Sequence, residues 1–141
     1  MKDTKFTVAI HILVMLATSD KVLNSDSLAQ SVGTNPSYIR KIMTLLKKGN
    51  LIYSQRGKSG IQLCIQPEQL SLWQLYQIVE GKEVNIFQVH ENSNPECPVG
   101  RNIKQAVFPF LDDAEKQLQA SLASDTLADV IIRLKSLELY K

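Results

Sequence analysis

The four residues Gly33-Thr34-Asn35-Pro36 constrain the fold more than any other stretch of this chain. Glycine tolerates the left-handed backbone that ends a helix. Asparagine accepts a hydrogen bond from the free amides of a new first turn, and proline at the first helical position forfeits no intrahelical bond. One helix therefore stops and another starts within a single tight turn. On the near side, Leu28, Ala29 and Val32 form the inner stripe of a short helix opened by a Ser25 cap. On the far side, Ile39, Ile42, Met43 and Leu46 form the stripe of a helix running to Lys48.

The segments around this turn complete a pattern. Phe6, Ile10, Leu13, Val14 and Ala17 recur at helical spacing in a first helix, and Val22-Leu23 has the character of a brief strand. His11 sits in that first helix with Met15 four residues on, so no metal spacing arises and no chemical role is assigned to it. After a left-handed stop at Gly49-Asn50, Leu51 to Ser54 reads as a strand and Gln55 to Gly60 as a hairpin tip. The return strand alternates Ile61, Leu63 and Ile65 with Gln62, Cys64 and Gln66 until Pro67. Ser71 opens a fourth helix carrying Leu72, Leu75, Ile78 and Val79, and Gly81 closes it. A polar stretch with Asn92-Ser93-Asn94-Pro95 leads into a long amphipathic helix from Val99 to Leu122, kinked at Pro109. A last helix, capped by Ser124 or Asp125, turns Leu127, Val130, Ile131, Leu134 and Leu137 inward.

The expected fold is mainly α with a small β-hairpin wing: a winged helix-turn-helix domain over residues 1–81, a loop or hinge over 82–98, and a helical dimerisation region over 99–141. The length of 141 residues suits one domain with an appended helical element.

Charge gives this architecture a partner. No Asp or Glu lies between Asp26 and Glu68, whereas Arg40, Lys41, Lys47, Lys48, Arg56 and Lys58 do. The net charge of +2 thus hides a cationic first half and an acid-rich second half, and the cationic half suits a polyanion. With its apolar stripe committed to the core, the third helix offers Ser37, Tyr38, Arg40, Lys41, Thr44 and Lys48 to the major groove of duplex DNA. Arg40 is the leading base reader, because its planar fork matches guanine O6 and N7. Arg56 and Lys58, on the hairpin tip, suit the minor groove or flanking phosphates.

The order Leu28-Ala29, Pro36-Ser37-Tyr38-Ile39, Leu46-Lys47-Lys48, Leu51-Ile52 and Ser54-Gln55-Arg56-Gly57-Lys58-Ser59-Gly60, with Leu72 to Gly81 behind it, resembles the Rrf2 family of bacterial transcription regulators. The resemblance spans nearly the whole chain. Its most specific pieces are the Ser37-Tyr38 pair and the Arg-Gly-x-x-Gly wing at this distance. It implies a homodimer on a pseudo-palindromic operator, joined through the long helix. The stripe of Ile103, Val107, Phe110, Leu111, Ala114 and Leu118 then forms the dimer interface, the plain alternative being intramolecular packing. Repression is the default mode.

Two departures stand out. The best-known branch of the family holds an iron-sulfur cluster through three cysteines in the loop before the long helix, and here only Cys97 stands there, with His90 and Glu91 near it in sequence. A cluster of that type is not expected, and no cofactor or metal is assigned. After Gly60 the wing continues Ile61-Gln62 where many relatives carry a further glycine and an aromatic residue. Cys97 before Pro98 is a candidate helix N-cap, where a thiolate is favoured, so it is the candidate redox residue, against the plainer reading of a small packed side chain. The effector itself, small molecule or protein, is left open.

Other classes fit less well. There is no Ser-His-Asp order, no HExxH and no phosphate-cradling glycine loop, so catalysis is not expected. A winged domain that binds only proteins is the alternative function. No apolar run is long enough to span a bilayer, and Met1 to Lys5 leads into an amphipathic stretch without a cleavage signal. A cytoplasmic protein is expected.

Overall fold

A computed structural model of the chain describes residues 3–54, 60–81 and 86–139. Its elements are α1 (Lys5–Thr18), α2 (Ser25–Val32), α3 (Pro36–Lys48), β1 (Ile52–Ser54), β2 (Ile61–Leu63), a 3-10 turn (Pro67–Gln69), α4 (Leu72–Glu80), α5 (Pro98–Ala123) and α6 (Leu127–Leu139). The stripes read from the sequence converge on one core, except that α1 buries Val8, Ala9 and Ile12 with Leu13 and Val14 while Ala17, one turn past Leu13, lies beyond the core and is exposed. Ile12 and Leu13 of α1, Leu28 of α2, Ile39, Ile42 and Leu46 of α3, and Leu75 of α4 are all withdrawn from solvent. Each such side chain stabilises the fold by roughly 1.5–3 kcal/mol relative to exposure. α2 packs closely on α3, and α1 runs beneath both, so the outer face of α3 is the one left free.

The turn between α2 and α3 forms as its residues dictate. Gly33 adopts φ 86° at the end of α2, and the side chain of Asn35 accepts from the amide of Tyr38 at 2.9 Å. α2 itself opens differently from expectation. Its cap is Asn24, not Ser25: the Asn24 side chain accepts from the Ser27 amide while the Ser27 hydroxyl accepts from the Asn24 amide, both at 2.9 Å. This reciprocal arrangement satisfies two end groups at once, which a lone serine cap cannot do.

β1 and β2 pair antiparallel with Ile52 opposite Leu63, Tyr53 opposite Gln62 and Ser54 opposite Ile61. Ile52 and Ile61 are buried while Tyr53 and Gln62 face solvent, their side chains hydrogen-bonded to each other. Val22-Leu23 is not a strand. It contributes one ladder-like bond, from the Ile61 amide to the Leu23 carbonyl at 3.3 Å, and stops there because the chain turns directly into the Asn24 cap. The stop after α3 also differs in detail: Asn50 takes the left-handed conformation (φ 59°) and Gly49 does not. Gly49 instead serves a close approach, since a Cβ there would stand 2.7 Å from Cγ2 of Ile78.

α4 is capped by Ser71 and Gln74 in the same reciprocal manner as α2. Its aromatic flank joins α1, with Phe6 edge-on to Tyr76 at 5.0 Å and Trp73 stacked on Tyr76 at 5.8 Å. α5 continues through Pro109 and has no buried residue, whereas α6 returns to the core. Leu127 is fully buried and Ile131 nearly so. Bonds from the Leu127 amide to the Leu70 carbonyl and from the Leu72 amide to the Asp125 carbonyl, both 2.9 Å, tie the start of α6 to the start of α4. The cap of α6 is Thr126, which exchanges bonds with Asp129, rather than Ser124 or Asp125. Leu134 and Leu137 do not turn inward: they are 46% and 51% exposed, because the helix leaves the core after Ile131.

Candidate nucleic-acid interface

The outer face of α3 follows from its inner one. Ile39, Ile42, Met43 and Leu46 are buried, so the helical period carries Ser37, Arg40, Lys41, Thr44 and Lys48 onto the exposed side, where all five lie. The Arg40 guanidinium leans toward the helix N-terminus and donates to Ser37 Oγ at 3.3 Å, and the Thr44 hydroxyl donates to the Arg40 carbonyl at 2.9 Å. These are loose, local bonds that a phosphate or a base edge can replace. Lys47 is exposed beside them. It belongs to the cationic segment but not to the site residues expected from sequence, although its i+3 spacing from Thr44 puts it on the same face. At the last turn, Lys47 and Lys48 also complement the negative end of the helix dipole.

Tyr38 departs from expectation. It is half-buried, packs against the core, and its hydroxyl meets Thr4 Oγ1 at 3.2 Å. Position 38 borders the apolar stripe, one residue before Ile39 and four before Ile42, so its ring goes to the core and only its hydroxyl end reaches the surface.

The ion pairs among the described residues lie away from this face: Lys5 with Asp3 and Glu80, Lys104 with Glu91, and Lys116 with Asp112. In that first cluster, backbone hydrogen bonding from Lys5 holds the Asp3 carboxyl below its usual range, and burial pushes the Glu80 carboxyl up. The wing tip residues Arg56 and Lys58 lie outside the described residues. The root of the wing is fixed by Gly60, at φ 60°, where a Cβ would stand 2.6 Å from the Leu23 carbonyl oxygen.

The dimer stripe read from sequence falls on α5. Phe110, Ala114 and Leu118 are exposed, and Ile103, Val107 and Leu111 half-buried. Cys97 is the exposed N-cap of α5, making no side-chain capping bond, and Cys64 is exposed on the segment after β2.

A helix-turn-helix whose second helix presents cations and hydroxyls, followed by a two-stranded hairpin, defines the winged helix-turn-helix class of regulator. The chain belongs to the Rrf2 family: the family model described as an iron-dependent transcriptional regulator matches residues 2–133. It is 37% identical over 134 residues to YwnA of Bacillus subtilis, named as a candidate HTH-type transcriptional regulator, covering 95% of this chain and 99% of that one. The crystal structure of a candidate DNA-binding protein matches with TM-score 0.72 and 33% identity, over 90% of this chain and 98% of the other. A candidate transcriptional regulator from Lactobacillus plantarum matches with TM-score 0.78 and 28% identity, over 94% and 90%. These are regulators by family and by name, not enzymes.

The family description names iron, and the donors present decide whether this chain can hold it. Among the described residues, no three His, Cys, Asp or Glu side chains gather into a metal site. Cys97 stands at the start of α5 and Cys64 on the hairpin side, and an iron-sulfur cluster needs several thiolates together. The described residues do not fit an iron centre.

Among the described residues, no helix is long and apolar enough to cross a membrane.

Proposed function

We propose that this protein is a cytoplasmic, homodimeric, sequence-specific DNA-binding repressor that lays α3 in the major groove of each half of a pseudo-palindromic operator. The observation that carries the reading is the division of α3: one face wholly committed to the core, the other built of Ser37, Arg40, Lys41, Thr44, Lys47 and Lys48 without an acidic neighbour in sequence from Asp26 to Glu68. Ser37 and the Tyr38 hydroxyl sit where the first-turn amides grip a phosphate, Lys41, Lys47 and Lys48 neutralise the backbone, and Arg40 reads a base edge. Arg56 and Lys58 extend the contact from the wing, and winged-domain residues 1–81 act as the reading unit.

Dimerisation through α5 is supported by its exposure. A helix of 26 residues, about 39 Å long, leaves Phe110 76% exposed and buries none of its own side chains. Two copies joined along Ile103, Val107, Phe110, Leu111, Ala114 and Leu118 would offer two α3 helices to two operator half-sites, which lie about 34–36 Å apart in such operators.

Gel shifts with cognate and random duplexes across a salt series test the reading. Arg40→Ala is expected to cost about 1–3 kcal/mol on the cognate site and relax base choice there. Lys48→Ala is expected to weaken all sequences alike and flatten the salt slope. Equal losses on cognate and random DNA for Arg40→Ala remove its reading role. Indifference of the wild type to duplex DNA at low salt leaves a protein-binding module instead.

Control through Cys97 is supported by its exposure at the N-cap of α5. Peroxide or diamide is expected to change the gel shift of the wild type and not that of Cys97→Ser. A wild type insensitive to both oxidants ends the redox reading.

A further inference from the structure

Between the segment that follows α4 and the flank of α5 lies a cavity of about 640 Å³, within the range of small-molecule sites. Its walls are apolar and aromatic where they meet, with Phe87 and Val89 on the segment and Phe108 and Leu111 on the helix. Phe87 and Phe108 are 44% and 63% exposed, so two aromatic rings border open space. The polar part of the wall holds three carboxylates, Glu91, Asp112 and Glu115, and one ammonium, Lys104. In a chain of net charge +2 this is an acidic, aromatic recess.

The three carboxylates are not equivalent. Glu91 pairs with Lys104 at 3.7 Å and Asp112 with Lys116 at 2.9 Å. Glu115 is half-buried and accepts the Phe87 amide at 3.2 Å; among the described residues no cation pairs with it. That bond holds the segment against α5 and leaves the Glu115 charge facing the recess uncompensated. A partly desolvated carboxylate beside aromatic rings attracts one kind of small ligand above others, an organic cation whose charge meets the carboxylate and whose apolar body meets the rings.

The recess is distinct from the dimer stripe. At 100° per residue, Phe108, Asp112 and Glu115 lie on average about a third of a turn around α5 from Val107, Phe110 and Ala114, and Leu111 belongs to both faces. A second copy joined along the stripe would therefore touch the recess at Leu111 and leave Phe108, Asp112 and Glu115 off the interface.

We propose that this recess is a binding site for a lipophilic organic cation, held by Glu115 between Phe87 and Phe108. The proposal concerns ligand binding alone and stands independently of the DNA-binding reading.

Tetraphenylphosphonium and tetraphenylborate make a direct test, because they share size and apolar surface and differ in the sign of their charge. Calorimetric titration of the full chain is expected to show one saturable phosphonium site per chain with a dissociation constant on the order of 10–100 μM, and tetraphenylborate bound more weakly. In Glu115→Gln the amide oxygen still accepts the Phe87 amide, so the segment stays in place while the charge is lost. That variant is expected to bind the phosphonium at least about tenfold more weakly, close to 1.4 kcal/mol, with tetraphenylborate binding no weaker than in the wild type. Phe108→Ala, a change at an exposed ring with little consequence for folding, is expected to weaken it similarly. Phosphonium binding that is absent, that is matched by tetraphenylborate, or that survives Glu115→Gln unchanged overturns the proposal. So does phosphonium affinity that falls as protein concentration rises, which would make a second copy of the chain the occupant.

Discussion

Gly60 and Gly33 offer a controlled comparison of what fixes the wing. Both adopt positive φ, 60° and 86°, so an alanine at either pays for a left-handed backbone, about 1–2 kcal/mol. Their surroundings differ completely. A Cβ at Gly33 meets nothing within 4 Å, whereas at Gly60 it meets the Leu23 carbonyl oxygen at 2.6 Å and Val22 Cγ1 at 2.7 Å. Relieving that collision means moving β2 away from Leu23 and stretching the Ile61 amide bond to the same carbonyl, already 3.3 Å long. Losing that bond adds roughly 0.5–1.5 kcal/mol to the conformational cost. Gly33→Ala is thus expected to lose about 1–2 kcal/mol and Gly60→Ala about 1.5–3.5 kcal/mol. Urea unfolding at one fixed protein concentration measures both, the fixed concentration being needed because assembly would contribute to stability. DNA affinity should separate them further: Gly60→Ala displaces the base of the wing, while Gly33→Ala leaves it in place. Equal stability losses in the two variants would refute the argument that the Leu23 contact anchors the wing.

Other substitutions probe the remaining parts. Leu127→Ala, at a fully buried position, is expected to cost about 2–5 kcal/mol, against less than about 1 kcal/mol for Leu137→Ala, and comparison of their denaturation midpoints checks the packing of α6. Asn35→Ala removes the cap of α3 and is expected to cost about 1 kcal/mol, with a fall in helicity by circular dichroism. Phe110→Glu should dissociate the proposed dimer. Since a symmetric interface counts each ring twice, about 3–6 kcal/mol is lost, a factor of roughly 10² to 10⁴ that sedimentation equilibrium resolves; an unchanged association constant would move the interface elsewhere. Burial raises the Glu80 carboxyl above 4.5, so the folded state takes up its proton more readily than the unfolded chain. Its contribution is full below 4.5 and is lost as pH rises through the higher folded value. The melting temperature of wild type relative to Glu80→Gln is therefore expected to increase as pH falls from 7 toward 4.5, and a pH-independent difference would contradict this.

The architecture was legible because its punctuation is chemical. Gly33, Asn35 and Pro36 each have a local reason to stop or start a helix, and the apolar stripes of α1, α3 and α4 repeat at a period few other structures use. The errors fell where two adjacent residues could do the same job. Asn24 and Ser25 both cap helices, as do Thr126 and its neighbours, and only the reciprocal partner three residues on decides between them. The packing of the Tyr38 ring was not legible, because a ring at the edge of a stripe can face either way, and its partner Thr4 lies 34 residues distant. Leu134 and Leu137 repeat at the same period as Leu127 and Ile131, so periodicity marks them apolar-faced without saying where the core ends. The cationic face of α3 needed no tertiary information. The recess around Glu115 did, since Phe87 and Phe108 are brought together only by the return of the chain onto α5.

The way α6 is fastened carries a mechanical implication. The segment leaving α5 is stitched to residues 70–72 by two main-chain bonds and then plugs Leu127 into the hub shared by α1 and α4. The long rod of α5 and the winged domain are consequently clamped to each other near the far end of the rod. In the proposed dimer, a tilt of one rod against its twin would swing the attached domain as a crank does, changing the gap between the two α3 helices without bending either.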